Sequence, residues 1–243
     1  MTQHGATEGL DTAIITGGTG NLGQVVTERF LEAGYRVCIP WIKEQQWDEL
    51  RASLPAEQQE RCIAMEANLT DEARVERMVS ATEKEFGHVG CLLNLAGAFA
   101  FGENVWEMKM ETWQKMLAVN LTSVFLCCKH ALGPMRRAGR GRIINVSSKA
   151  CEDIQPGASA YAVSKGGILT LTRALREELK DTEITVNAIM PSVIDTPVTR
   201  KIMPAGDPEK WVKPAEIADI LLSLCGDGCR AVSGSTLRLF GGL

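Results

Sequence analysis

A glycine-rich turn near the start of the chain constrains the fold more than any other feature. A β-branched run at 12–16 leads into Thr16-Gly17-Gly18-Thr19-Gly20-Asn21-Leu22-Gly23, and an amphipathic stretch at 22–33 follows. Glycines let a strand turn sharply into a helix and let the backbone approach another group closely. The helix beyond presents free N–H groups and the positive end of its dipole, a setting that suits a pyrophosphate. An ordinary strand–helix turn can have the same spelling. Its place in the first strand–helix unit, however, is where a dinucleotide-binding sheet requires it.

The rest of the chain repeats the pattern. Short runs that read as strands lie at 12–16, 36–40, 61–66, 91–95, 142–146, 183–189 and 235–239. Helical periodicity fills 22–33, 71–86, 111–137, 160–180 and 214–224, with a shorter helix expected over 41–54. Alternation on this scale implies right-handed crossovers and a doubly wound α/β Rossmann fold, a seven-stranded parallel sheet with helices on both faces. No linker or repeat divides the chain, so residues 1–243 are expected to form a single dinucleotide-binding catalytic domain. The irregular stretch 192–213, with Pro197, Pro204, Gly206 and Pro208, reads as a loop whose part from about 197 to 213 is a short substrate lid.

Composition excludes several function classes. The net charge is −4 and there is no long basic run, so neither nucleic acid nor an anionic membrane is an expected partner. No uninterrupted apolar run reaches the roughly 18 residues of a membrane span. The stretch 1–11 is polar and has no apolar leader core, so a cytoplasmic location is expected. Eight cysteines are scattered, several of them inside apolar runs (Cys38, Cys91, Cys127), which reads as buried, reduced thiols. Cys225 and Cys229 lack a second ligand pair, and no metal site is expected.

Tyr161 and Lys165 stand at i and i+4 of an expected helix and so share one face. A tyrosine is a poor acid or base near neutrality, and a neighbouring ammonium brings its pKa toward the working range. The spacing can also arise by chance. Thirteen residues earlier lies Ser148, just past the strand at 142–146. That is the end of a parallel strand where α/β sheets bind ligands, although Ser147-Ser148 alone reads equally as a turn cap.

With these motifs in order, the sequence resembles the single-domain branch of the short-chain dehydrogenase/reductase family over essentially its whole length. Asn94-Leu-Ala-Gly97 is similar to the family's Asn-Asn-Ala-Gly motif, Asn120 to its helix asparagine, Ser148 to its strand-end serine, and Tyr161/Lys165 to its catalytic pair. The stretch Val186–Pro191 with Ile194-Asp-Thr196 resembles the segment that contacts the nicotinamide. The resemblance implies an NAD(P)-dependent oxidoreductase that transfers hydride to or from a small carbonyl or alcohol substrate. Tyr161 would be the acid/base, Ser148 the donor to the substrate oxygen, Lys165 the group that tunes Tyr161 and holds the ribose, and Asn120 the anchor of a proton relay. Cofactor contacts are expected from Gly17, Thr19, Asn21, Leu22, Trp41, Lys43, Asn68, Leu69, Asn94, Ala96, Gly97, Tyr161, Lys165, Ile194 and Thr196. Family members are commonly tetramers or dimers, so a homo-oligomer is expected, and the tail Ser233–Leu243 resembles the strand that buries at such an interface. A non-catalytic dinucleotide sensor is the rival from another class; such proteins typically lose the Tyr or Lys, and both are present.

Three departures from the family pattern bear on specificity. Asn21 replaces a loop glycine, Pro191-Ser192 replaces Pro-Gly, and Trp41 stands where NAD users carry an acid. With no acid to repel a 2′-phosphate, and Lys43 two residues on, the cofactor expectation leans to NADP over NAD. The short lid is similar to that of the dihydropteridine reductases. A small carbonyl or alcohol nevertheless fits the Asn/Ser/Tyr/Lys set better, with a pteridine-like ring or a 3-oxoacyl thioester as alternatives. Phe99, Phe101, Trp106 and Trp211 read either as an aromatic substrate face or as loop packing.

Overall fold

Alternating side chains along the first strand face two different cores, and this builds the molecule. In the computed structural model, which describes residues 9–243, β1 (Thr12–Thr16) turns Ala13 and Ile15 to one side and Ile14 to the other. All three are fully buried, the pattern of a central parallel strand covered on both faces. His4 and most of the polar stretch 1–11 lie outside the described residues.

The strands that follow are β2 (Arg36–Trp41), β3 (Cys62–Glu66), β4 (Cys91–Asn94), β5 (Arg140–Val146), β6 (Glu183–Pro191) and β7 (Thr236–Leu239). They form one parallel sheet in the order β3-β2-β1-β4-β5-β6-β7, as expected of the doubly wound class. The order reverses between β1 and β4, which opens a crevice at their C-terminal ends. One face carries α1 (Asn21–Glu32), α2 (Glu44–Ser53) and α9 (Pro214–Cys225), with Phe30, Leu50 and Leu221 in its core. The other carries α4 (Glu72–Phe86), α5 (Met110–Leu117), α6 (Ser123–Ala138) and α7 (Ser159–Glu178), with Met78, Cys127 and Ile168 inside. A short α3 (Ala56–Gln59) precedes β3. Cys38, Cys91 and Cys127 are buried as read, and burial pushes the Cys38 thiol up to about 12.

Three local readings need correction. The helix expected from residue 41 begins at Glu44, because Trp41 still pairs with Glu66 as the last residue of β2. The single helix read over 111–137 is interrupted by a π turn, Ala118–Thr122, between α5 and α6. By length and composition the whole run Met110–Ala138 is apolar enough to cross a bilayer, contrary to the count of uninterrupted apolar runs. Uncharged polar residues such as Asn120 and Ser123 break an apolar run without making the helix unfit for lipid. Here its buried side chains Val124, Cys127, Cys128, Ala131 and Met135 pack into the core.

Candidate active site

The glycine turn is held by contacts that no larger residue tolerates. Gly17 has φ +67°, and a Cβ there would lie 2.9 Å from the Ala96 backbone; a Cβ on Gly23 would lie 1.9 Å from the Gly17 carbonyl oxygen. The turn therefore packs against the β4 loop while α1 starts directly on top of it. Thr16 Oγ1 completes the link by accepting from the Ala96 N–H at 3.2 Å. At the start of α1, Gly20 offers no side-chain cap, and the first turn holds no acid. The helix thus leaves its first N–H groups and positive dipole end directed at the crevice, a fit to a dinucleotide pyrophosphate.

The crevice is a cleft of about 930 Å³, within the usual range of ligand sites. Gly17, Thr19, Asn21, Leu22, Trp41, Leu69, Ala96, Gly97, Ser148, Tyr161, Ile194 and Thr196 all line it. Sequence regions more than 170 residues apart thus meet at the C-terminal edge of one sheet.

Five other expected residues do not line the cleft. Lys43 is exposed at the N-terminus of α2, past the end of β2, and Gln46 lines the cleft instead. Asn68 is exposed, and its Oδ1 accepts from Thr70 N–H (3.1 Å) and Oγ1 (2.9 Å), so its side chain shapes the turn before α4. Asn94 is buried at the end of β4 and donates to Asn145 Oδ1 at 2.8 Å; Asn145 in turn donates to Thr172 Oγ1 at 2.9 Å. Asn94 therefore ties β4, β5 and α7 together beneath the cleft.

Asn120 and Lys165 lie behind the cleft wall at Gly97. A Cβ on Gly97 would sit 3.0 Å from Asn120 Oδ1 and 3.3 Å from Lys165 Nζ. Asn120 is fully buried in the π turn. It accepts from Ala98 N–H (2.7 Å) and donates to Ala98 O (3.0 Å) and to Ser164 Oγ (3.0 Å). One amide thereby clamps the β4 loop to α7.

Lys165 is 5 % exposed and donates to Val146 O at 2.8 Å, at the end of β5. Burial pulls its ammonium down to about 8. Burial also pushes the Tyr161 phenol above its ordinary value, opposed by a hydrogen bond with Ser148. The lysine was expected to lower this phenol; in the structure the opposing group is the Ser148 hydroxyl. Ser148 Oγ also accepts from Ala150 N–H (3.2 Å), and this fixes the serine at the head of the 3-10 turn Lys149–Cys151. Phe99 meets the Tyr161 ring edge to face at a centroid distance of 4.9 Å.

The lid region, expected to be loop, contains α8 (Pro197–Ile202). Thr196 Oγ1 caps it by accepting from Thr199 N–H at 3.1 Å. Asp195 accepts two hydrogen bonds from Arg200 (2.6 and 2.9 Å) and one from Lys213 (3.0 Å). Arg200 first and Lys213 second hold its carboxyl well below the usual carboxylate range. Of the aromatics, Phe99 lines the cleft. Trp211 is buried against Gly206 at the base of the lid, and Trp106 is 82 % exposed and lies outside the lining. Lys149, Asp153, Val198, Ile202 and Met203 also line the cleft. No periodic pattern points to them; for Lys149 the only signal is its place directly after Ser148.

Comparison with known proteins agrees with this geometry. Residues 11–206 match the short chain dehydrogenase family. The 2-(R)-hydroxypropyl-CoM dehydrogenase of Xanthobacter autotrophicus is 30 % identical over 241 residues, covering 94 % of this chain and 96 % of its own. The cis-4-hydroxycyclohexanecarboxylate dehydrogenase of Sinomonas cyclohexanicum is 31 % identical over 238 residues, with 95 % of each covered. A variant of actinorhodin polyketide ketoreductase, solved with NADPH, superimposes with a TM-score of 0.87 at 29 % identity, covering 98 % of both chains. The chain belongs to the short-chain dehydrogenase/reductase family of oxidoreductases.

Proposed function

We propose that the protein interconverts a small ketone or aldehyde and its alcohol, with NADP(H) preferred over NAD(H). The observation that carries this reading is the convergence of the uncapped α1 turn, Ser148 and Tyr161 on one cleft. The nicotinamide, when bound, supplies the hydride. Tyr161 gives or takes the proton at the substrate oxygen. Ser148, whose hydroxyl lies close enough to oppose the rise of that phenol, donates to the same oxygen and stabilises charge developing there. Lys165, with an ammonium near 8, feeds the proton path, and Asn120 keeps the β4 loop pressed against it.

The NADP preference rests on the end of β2. Trp41 and Gln46 line the cleft there, and neither repels a 2′-phosphate. Lys43, exposed at the edge, contributes at longer range. The protein works in the cytoplasm as a homo-oligomer. Support for assembly comes from Phe125 on α6 and Val163 on α7, each about half exposed, and from the free edge of β7.

The test is twofold. Dissociation constants for NADPH and NADH are measured, and NADPH oxidation is followed with small ketones, quinonoid dihydropterin and a 3-oxoacyl thioester. NADPH should bind more tightly and small ketones should turn over best. Tyr161→Phe should lower turnover by at least ~10²-fold with little change in NADPH affinity. Preference for NADH, or near-normal turnover by the Phe variant, refutes the corresponding part.

A further inference from the structure

The lid side of the cleft is apolar, with Val198, Ile202 and Met203 lining it together with Phe99, yet the cleft also holds one cation. Among the described residues that line the cleft, Lys149 is the only Lys, Arg or His, and Asp153 the only Asp or Glu. The backbone of Lys149 is fixed by the Ser148 cap one residue before it. Its side chain is 30 % exposed, and its ammonium lies 5.3 Å from the centre of the Phe240 ring. The nearest carboxylate oxygen, on Asp153, is 3.6 Å away, beyond hydrogen-bond length, and Asp153 is itself 60 % exposed. The other charges nearby are satisfied: Glu152 takes a bidentate pair from Arg238 (2.6 and 3.1 Å), and across the lid Asp195 holds Arg200 and Lys213.

A half-buried lysine that lines the cleft, with no hydrogen-bonded acceptor for its ammonium among the described groups, is a ready partner for an anion. We propose that Lys149 is a specificity-determining residue that binds an anionic group of the substrate, and that the substrate is an oxo- or hydroxy-carboxylate with a compact apolar body. The inference rests on the oxidoreductase reading above and deepens it. The carbonyl end meets Ser148 and Tyr161, the apolar body lies against Phe99 and the lid, and the carboxylate takes the place of Asp153 as partner of Lys149. Asp153 opposes the incoming anion and, being exposed, turns outward to admit it.

Two readouts test this. In the first, cyclohexanecarboxylate and its methyl ester are titrated into the NADPH complex by calorimetry. The acid should bind the wild type more tightly than the ester does. Lys149→Gln should weaken acid binding relative to ester by about ten- to a hundred-fold, the scale of a hydrogen bond to a charged group. Asp153→Asn should shift the same ratio severalfold the other way. In the second, 4-oxocyclohexanecarboxylate and its methyl ester are reduced. The acid-to-ester ratio of kcat/KM should follow the binding ratio, with the loss in Lys149→Gln carried by KM. An acid-to-ester ratio unmoved by Lys149→Gln in both readouts, or a wild type that favours the ester, overturns the role of Lys149 and leaves the oxidoreductase reading standing. Selective acid binding without reduction of any carbonyl supports Lys149 and counts against that reading instead.

Discussion

Replacing Lys165 with methionine isolates the energetics of the one ammonium that the site buries. The methionine keeps most of the length and apolar contact of the stem and removes the charge. In the native protein the ammonium sits at about 8, against an ordinary 10.5, because burial disfavours its charged form. At about 1.4 kcal/mol per pH unit, that difference amounts to about 3 kcal/mol. The sign follows from linkage. Between the two values the unfolded chain binds the proton and the native chain does not, so native stability rises with pH. Below about 8 both states are protonated and the wild type carries the full penalty; above about 10.5 both are neutral and the penalty is gone.

The variant also leaves the Val146 carbonyl without its donor, a cost of about 1 kcal/mol that does not depend on pH. Urea unfolding of both proteins at intervals from pH 7 to 10.5 gives the stability difference, wild type minus variant. Thiols and phenols common to both cancel from it. The difference should start at about −2 kcal/mol at pH 7 and climb by about 3 kcal/mol by pH 10.5. A difference that stays flat, or that falls as pH rises, refutes the claim that burial destabilises this ammonium.

Three further substitutions test the frame around the site. Gly23→Ala places a methyl 1.9 Å from the Gly17 carbonyl, so α1 must move. It should cost on the order of 1–3 kcal/mol and lower Tm by several degrees. Gly228→Ala, with nothing within 4 Å of the added carbon, should be near neutral in the same thermal melt. Asp195→Asn removes the carboxylate that joins Arg200 to Lys213 and should raise substrate KM more than it lowers kcat. Because Asp195 is held below the usual carboxylate range, its contribution is present above the ordinary carboxylate pKa and is lost only at lower pH. The wild-type KM should therefore show no carboxylate step across the ordinary aspartate range, about pH 3.5 to 5, and a step there that disappears in the Asn variant would contradict this.

The sheet was legible because its signals are local. The strands 12–16 and 91–95 are nearly continuous apolar runs, and the glycine turn announces where a helix must begin over an anion. Ser148 and Tyr161 were legible for a related reason: each follows a recognisable element at a spacing that places it on the cleft. Asn68 and Asn94 show where such reasoning stops. Their positions in the chain are those of cleft residues, but side-chain direction decides the outcome. One amide turns back to Thr70 and the other is absorbed into a chain with Asn145 and Thr172. The π turn at Ala118–Thr122 left no mark either, since one extra residue in a helical turn does not disturb the apolar period enough to be seen. Lys149 is not legible because a lysine between elements normally reads as solvated surface, and only the tertiary fold brings it and the apolar lid residues to the lining of one cleft.

The π turn, Gly97 and Lys165 together explain why a buried ammonium is tolerated here. Asn120 spends its amide on the Ala98 backbone and Ser164, so it fixes the loop without needing the lysine as a partner. Gly97, lacking a side chain, lets the loop approach Asn120 Oδ1 and Lys165 Nζ closely from the cleft side. The ammonium is left with one backbone acceptor, at Val146, and a thin backbone wall between it and the cleft. Burial, at a cost of about 3 kcal/mol, is what brings the ammonium down to about 8 and so keeps its proton exchangeable near neutral pH.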